Sequence, residues 1–431
     1  MNKVIRDRVR TVGLSLIFMA ISWPAPAASP GAGVIRENQI NAAALQHAQQ
    51  LLRSTPLIDG HNDLPWVIRE ETGGDVTAFQ LERRNDFDTD IPRMREGLVG
   101  AQFWSVWIPG ETEAADTGRV QMEQIDTALR IIDEHPGTFE LALKAEDIER
   151  IFGQGKIASL LGMEGAYAVN DSVAVMRMFY RLGVRYMTLT HNVTLNWADA
   201  ALGEQRHRGL TPFGRAMVRE MNRTGMMVDL AHTSIATMHQ ALDVTLAPVI
   251  WSHAAARALV DHPRNVPDDV LKRLPANGGV VMVTFIPSFL SNEVWEMEQG
   301  LWDTGAAIET IREFREAWKA YDEEQGAVRA TISQVADHIE HVREVAGIDH
   351  VGIGSDYWGM IDGPVGMEDV TGFPRLFAVL VERGWTDGDL RKLAGENTLR
   401  VMQKVESVAQ ELRRESPPSN VTITNLDAPK L

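Results

Sequence analysis

Eight short apolar runs recur along the chain, and most are followed by segments whose apolar residues repeat at helical spacing. The runs are Leu57–His61, Ala101–Ile108, Ile157–Glu164, Tyr186–His191, Met226–His232, Pro248–His253, Gly279–Phe285 and His350–Asp356. They are nearly continuously apolar rather than alternating, which marks strands buried on both faces, as in a parallel sheet. Between them, Val173–Leu182, Ser234–Leu246, Pro267–Leu274, Ile332–Ala346 and Asp389–Val401 read as helices. Thr211 before Pro212 reads as a helix start: a capping hydroxyl, then a residue whose fixed φ suits the first turn. Eight such units predict an α/β fold of the closed (β/α)8 TIM barrel type. The other arrangement for this pattern is an open doubly wound sheet. No Gly-x-Gly-x-x-Gly follows an early strand, so nothing points to a dinucleotide site.

Two connections are long, which predicts loop insertions after the fourth and seventh strands. They are Asn192–Leu210 and the stretch from Ile286 to Ala330. Long loops in a compact domain are usually lids or inserted subdomains. The second holds Trp295, Trp302 and Trp318 and a helical pattern near Ile308–Tyr321. It reads either as an insertion above the barrel mouth or as a plain surface insertion.

Composition narrows the picture. The 44% hydrophobic and 23% charged content is that of a globular chain. A net charge of −17 argues against nucleic-acid or anionic-membrane binding. With no cysteine, disulfides, Cys-ligated zinc, iron–sulfur clusters and thiol catalysis are excluded, so any transition metal must be held by His, Asp or Glu. Lys3, Arg6, Arg8 and Arg10, an apolar run Val12–Trp23, and Ala25-Pro26-Ala27 read as a removable signal peptide over residues 1–27. The run is short for a membrane span, which needs roughly 20 residues. The expectation is a bacterial protein exported to the periplasm or secreted, with no stable membrane anchor once the leader is gone. Residues 28–415 are then a single (β/α)8 domain, and residues 416–431 a flexible polar tail.

The ionisable residues fall where a barrel uses them. His61 and Asp63 close the first run, Glu164 the third, His191 the fourth, His232 the fifth, His253 the sixth and Asp356 the eighth. The C-terminal ends of barrel strands converge on one mouth, where active sites sit. A lone strand-end His is more often structural, and a lone Asp often caps the next helix. Seven such residues together need a common cause. His61 and Asp63, at i and i+2, share one face of a strand and can ligate one ion, with Asp59 one layer lower. Two carboxylates 4 Å apart repel by about 4 kcal/mol at an effective dielectric near 20. Divalent cations turn that repulsion into binding. Imidazole plus carboxylate suits zinc, and manganese, cobalt or iron also fit.

The segment Leu57-Ile58-Asp59-Gly60-His61-Asn62-Asp63-Leu64-Pro65-Trp66 resembles the opening motif of the membrane (renal) dipeptidases. Met163-Glu164-Gly165, Arg185–Asn192, Val228–His232, Ile250–His253, His262–Asp268 and Gly352–Asp356 are similar to that family's later motifs, in order, from roughly Leu51 to Arg400. The resemblance implies a metal-dependent hydrolase barrel with two divalent ions, zinc first among the candidates, sharing a hydroxide. It implies that His61, Asp63 and Glu164 hold one ion, and Glu164, His232 and His253 the other. His191 would contact the scissile carbonyl or the intermediate, Arg264 would bind the substrate carboxylate, and Asp356 would carry the proton. The implied substrate is a small dipeptide, L,D-dipeptides included, and the implied assembly a homodimer. Without cysteine, no disulfide can link such a dimer or brace the fold. The same residues would serve N-acyl amino acids or β-lactam amides. A phosphotriesterase-like site is weaker, because Glu164 stands where such sites often place a carboxylated lysine. A non-catalytic secreted binding protein is weaker still, because the ligand set is complete.

Overall fold

The computed structural model describes residues 40–305, 311–326, 328–360 and 362–427; the expected leader, residues 1–27, lies outside them. Nine parallel strands are present among these residues: β1 Leu57–Asn62, β2 Val99–Ser105, β3 Phe139–Leu141, β4 Ile157–Met163, β5 Val184–Thr188, β6 Met227–Asp229, β7 Val249–Ala254, β8 Val280–Val283 and β9 Val351–Ile353. Eight of them close a ring, in the order β1-β2-β4-β5-β6-β7-β8-β9 and back to β1. Every predicted run supplies one strand of this (β/α)8 barrel. Several strands stop one to three residues short of the run, so Glu164, His191, His232 and Asp356 stand just beyond the ladder. The unpredicted β3 pairs with the start of β4, and β5 takes over from Leu161. Three residues centred on Glu140 present no apolar run to read.

Strand parity sorts the barrel into two cores. Ile58, Phe103, Leu160, Tyr186, Ile250 and Met282 belong to one cluster. Their neighbours Leu57, Trp104, Leu161, Met187, Trp251 and Val283 belong to another, shared with the surrounding helices. This is the period-2 rule of a strand buried on both faces. Leu399, Met402 and Val405, from the helix Asn397–Glu415, join the first cluster and seal the end of the barrel away from the mouth.

Helix ends follow local chemistry. Thr211 accepts from the Gly214 amide with Pro212 in the first turn, as expected. The predicted helix Pro267–Leu274 is instead two short ones, Asp268–Leu271 and Leu274–Asn277, because Pro275 lacks a donor and starts a new turn. The sequence reading missed the helices Leu64–Thr72, Thr117–Glu134, Ala145–Gly153 and Phe373–Glu382, which help complete the outer ring. Asn192–Leu210 has no helix and folds around Asp199, which accepts from the amides of Arg206, His207 and Gly209. The long stretch after β8 carries the helices Pro287–Leu290, Asn292–Asp303 and Ile311–Gln325. Residues 416–431, expected as a flexible tail, are docked as far as Asp427. The Asp427 carboxylate accepts from Thr211 Oγ1 at 2.6 Å and from the Phe213 amide at 2.9 Å. Among the described residues no helix is long and apolar enough to cross a membrane.

Glycine is required where β9 approaches β7. A Cβ on Gly354 would lie 1.8 Å from the Ser252 carbonyl oxygen, a backbone atom that cannot move aside cheaply. Gly354→Ala is expected to destabilise the barrel by about 3 kcal/mol and lower Tm by several degrees. A thermal melt indistinguishable from wild type would contradict this close packing.

Candidate metal centre

The mouth of the barrel is built by the residues that immediately follow the strands. His61 lies within β1. Asp63 stands at the N-cap of helix Leu64–Thr72 but makes no capping hydrogen bond. Asn62 satisfies the Leu64 amide instead, at 3.0 Å, which leaves the Asp63 carboxylate free to turn into the mouth. His232 and Asp356 sit in the left-handed region, at φ +62° and +64°. Such backbone is uncommon for non-glycine residues and clusters at functional sites.

Glu164 is the hub. Its Oε2 lies 3.4 Å from His61 Nε2. Its Oε1 lies 2.8 Å from His232 Nε2, 3.3 Å from His253 Nε2 and 3.9 Å from His191 Nε2. One carboxylate thus faces two groups of imidazoles through its two oxygens. His61 Nε2 is also 3.4 Å from Asp63 Oδ1 and 3.9 Å from Asp356 Oδ1. Three overlapping triads have ligand atoms close enough to hold an ion: His61, Glu164 and His253; Glu164, His191 and His232; His61, Asp63 and Asp356.

Hydrogen bonds on the far side of each ring decide which nitrogen faces the centre. The Tyr186 hydroxyl donates to the Gly60 carbonyl, so it accepts from His61 Nδ1 at 2.8 Å. The Ser252 hydroxyl donates to Asp229 at 2.7 Å, so it accepts from His253 Nδ1 at 2.9 Å. Asn192 Oδ1 accepts from His232 Nδ1 at 2.9 Å. All three rings are therefore protonated on Nδ1 and turn Nε2 inward, where it is bare whenever the ring is neutral. The Nε2 atoms of His232 and His253 then face each other at 3.0 Å, lone pair to lone pair. His61 Nε2 and Asp63 Oδ1 are buried with no hydrogen-bond partner. A cation supplies what these atoms lack, so the donor set fits divalent ions.

The titration behaviour has the same cause. Burial pushes His232 and His253 well below the usual histidine range, assisted by Arg264 and by neighbouring imidazoles. Burial opposes the charging of His61, but the Tyr186 phenol, Glu164 and Asp63 outweigh it and hold its pKa well above normal. Burial, with Asp63 and Glu164 nearby, drives Asp356 well above the usual carboxylate range. In the absence of ions, protons are drawn to where positive charge is needed.

The centre opens into a cavity of about 340 Å³ that also exposes His191, Arg264 and the aromatic rings of Trp66 and Trp107. Trp107 meets His191 edge-on, with ring centroids 5.5 Å apart. Arg264 is buried. Its guanidinium lies over Phe289, 5.2 Å from the ring centre, with Nε and Nη2 unpartnered. Burial pushes its pKa down to about 10. The structure thus brings His61, Asp63, Glu164, His191, His232, His253, Arg264 and Asp356 around one space. Asp59 is not at the mouth: it accepts from the Ser355 amide and hydroxyl and so braces the strand end that carries Asp356. The sequence reading did not single out Tyr186, Asn192 or Ser252. For Tyr186 a signal was present: with Thr188 and Thr190 it puts oxygens on alternate positions of an otherwise apolar run.

Fold and site together define a metal-dependent hydrolase of the (β/α)8 barrel class. The sequence model of the membrane dipeptidase family, peptidase family M19, matches residues 45–416, and the chain belongs to that family of metallo-dipeptidases. Among solved structures, it is similar to the probable dipeptidase PvdM from Pseudomonas aeruginosa, at TM-score 0.73 and 23% identity, over 85% of this chain and 99% of that one. An amidohydrolase from Pseudomonas aeruginosa is similar at TM-score 0.64 and 25% identity, over 83% and 98%. A metallo peptidase from Rhodobacter sphaeroides, bound to a phosphinate mimic of the dipeptide L-Ala-D-Ala, is similar at TM-score 0.69 and 22% identity, over 81% and 99%.

Removing the groups behind the rings should weaken metal binding without touching a ligand. Tyr186→Phe and Ser252→Ala are each expected to lower metal affinity by about 10- to 100-fold, measured by competition with a chromogenic chelator. Affinities equal to wild type would show that ring orientation does not depend on these hydroxyls.

Proposed function

We propose that the protein hydrolyses the peptide bond of small dipeptides at a centre of two divalent ions, with zinc the best match to its imidazole and carboxylate donors. The observation that carries the reading is the pair of bare Nε2 atoms, on His232 and His253, converging on one oxygen of Glu164 whose other oxygen faces His61. His61, Asp63 and Glu164 would hold one ion; Glu164, His232 and His253 would hold the other. Bound there, such ions would lower the pKa of a coordinated water far below its usual value, to near neutrality, and polarise the substrate carbonyl.

The chain's own residues do the rest. Asp356, at the rim of the donor cluster, takes the proton of the attacking water and passes it to the leaving amine. His191 donates to the oxygen that becomes negative as the carbonyl is attacked. The unpartnered Nε and Nη2 of Arg264 pair with the free C-terminal carboxylate of the substrate. An internal residue of a longer peptide has no carboxylate there, which favours dipeptides. The rings of Trp66 and Trp107 exclude water around the scissile bond. The mimic held by the Rhodobacter sphaeroides relative has a D residue at its C-terminal position, which makes L,D-dipeptides natural first substrates. The basic and apolar pattern of residues 1–27, which reads as a leader, supports action outside the cytoplasm.

The test is hydrolysis of L,L- and L,D-dipeptides by the leaderless protein, with and without chelator. Cleavage that stops on chelation and returns with zinc is expected. Arg264→Ala should raise KM at least about tenfold, the worth of one charge-assisted pair, at unchanged metal content. Metal-loaded protein that cleaves no dipeptide would contradict the reading and turn attention to N-acyl amino acids and β-lactams.

A further inference from the structure

The stretch after β8 is the part of the chain that the proposed chemistry leaves unused, yet it forms much of the cavity wall. Phe289, Val294, Phe314, Trp318 and Val328 all line it, and such an apolar wall would suit an acyl chain as well as an amino acid. The charged groups on the wall decide between them. Asp63, Glu164 and Asp356 belong to the metal centre, and Arg264 to the substrate carboxylate. Three others line the cavity: Arg329, Asp362 and Glu298. Arg329 is already paired, with Nη2 2.9 Å from Asp322 and 3.5 Å from Asp362.

Glu298 remains. It lies on the helix Asn292–Asp303, half-buried, and accepts from Ser288 and from the Trp302 indole N–H at 3.4 Å. Among the described residues it has no cationic partner. Burial raises its pKa, against the hydrogen bonds from Ser288 and Trp302. Arg264 rests on Phe289, next in sequence to Ser288, yet the two charges border one cavity without pairing. The wall therefore holds one unmatched cation and one unmatched anion. A free dipeptide carries one carboxylate and one ammonium.

We infer that Glu298 is a specificity-determining residue that receives a primary ammonium group of the substrate. The inference rests on the dipeptidase reading of the site and deepens it. Glu298 makes an apolar wall select substrates with a free amine over N-acyl amino acids, which offer nothing positive. The amine has two sources of the same chemistry, the α-amino group of any dipeptide or the side chain of a lysine-type residue.

The experiment compares wild type with Glu298→Gln, both metal-loaded, on three compounds. These are Ala-Ala, propionyl-alanine (the same molecule without its amino group) and Ala-Lys. Propionyl-alanine is followed as substrate or, if uncleaved, as competitive inhibitor. Glu298→Gln is expected to raise KM for Ala-Ala at least about tenfold, the effect of one charge-assisted hydrogen bond. It should leave kcat, metal content and the affinity for propionyl-alanine unchanged. An effect confined to Ala-Lys also supports the ammonium site and assigns it to the side-chain amine. Equal changes on all three compounds, or none on any, overturn the inference while leaving the dipeptidase reading intact. Failure of wild type to cleave Ala-Ala or Ala-Lys overturns that reading, and this inference with it.

Discussion

Two imidazole nitrogens face each other across 3.0 Å with their lone pairs inward, both within 3.3 Å of one carboxylate oxygen. Positive charge between them makes that arrangement stable, and much of the barrel mouth serves to maintain it. Without a cation, the same groups can relax by capturing protons, and the raised pKa values of His61 and Asp356 record that tendency. The centre is thus electrostatically incomplete as a set of side chains, in the way a metal site must be if ions are to bind tightly.

The barrel meets this demand through hydrogen bonds that run outward from the centre. Each inward-facing ring is turned by a different oxygen: a phenol on β5, a serine on β7 and an amide in the loop after β5. Ser252 is held in turn by Asp229, which also takes Thr188 Oγ1 at 2.5 Å. Asp59 plays the corresponding part for β9 through Ser355. These buried aspartates are costly in isolation and are saturated with donors instead. The ring of strands therefore carries two polar layers, one that faces the cavity and one that aims it.

The barrel itself was legible in the sequence because its strands are buried on both faces and contrast sharply with the amphipathic segments between them. The cluster at the mouth was legible because strand-end positions are fixed by topology, so His61, Glu164, His191, His232, His253 and Asp356 could be placed together without coordinates. What escaped reading lacked contrast or depended on long-range contact. Strand β3 is too short and too polar. Asp63 was placed with His61 from the sequence, although it reaches the centre from a helix start rather than from the strand that the i, i+2 spacing suggested. The residues after Ser416 look loose in composition, and only the folded positions of Thr211 and Phe213 give Asp427 a place to bind. Glu298 is one acid among 59 Asp and Glu residues; its place on the cavity wall, without a cation partner among the described residues, is visible only in the folded chain.

The central claim is that this donor set is completed by two divalent ions. The most direct test is to strip the leaderless protein of metal and titrate zinc back, counting bound ions by native mass spectrometry. Two ions per chain are expected, and Glu164→Gln should disturb both, since its carboxylate touches each group of imidazoles. A protein that takes up no ion, or one ion that is indifferent to Glu164, would contradict the claim.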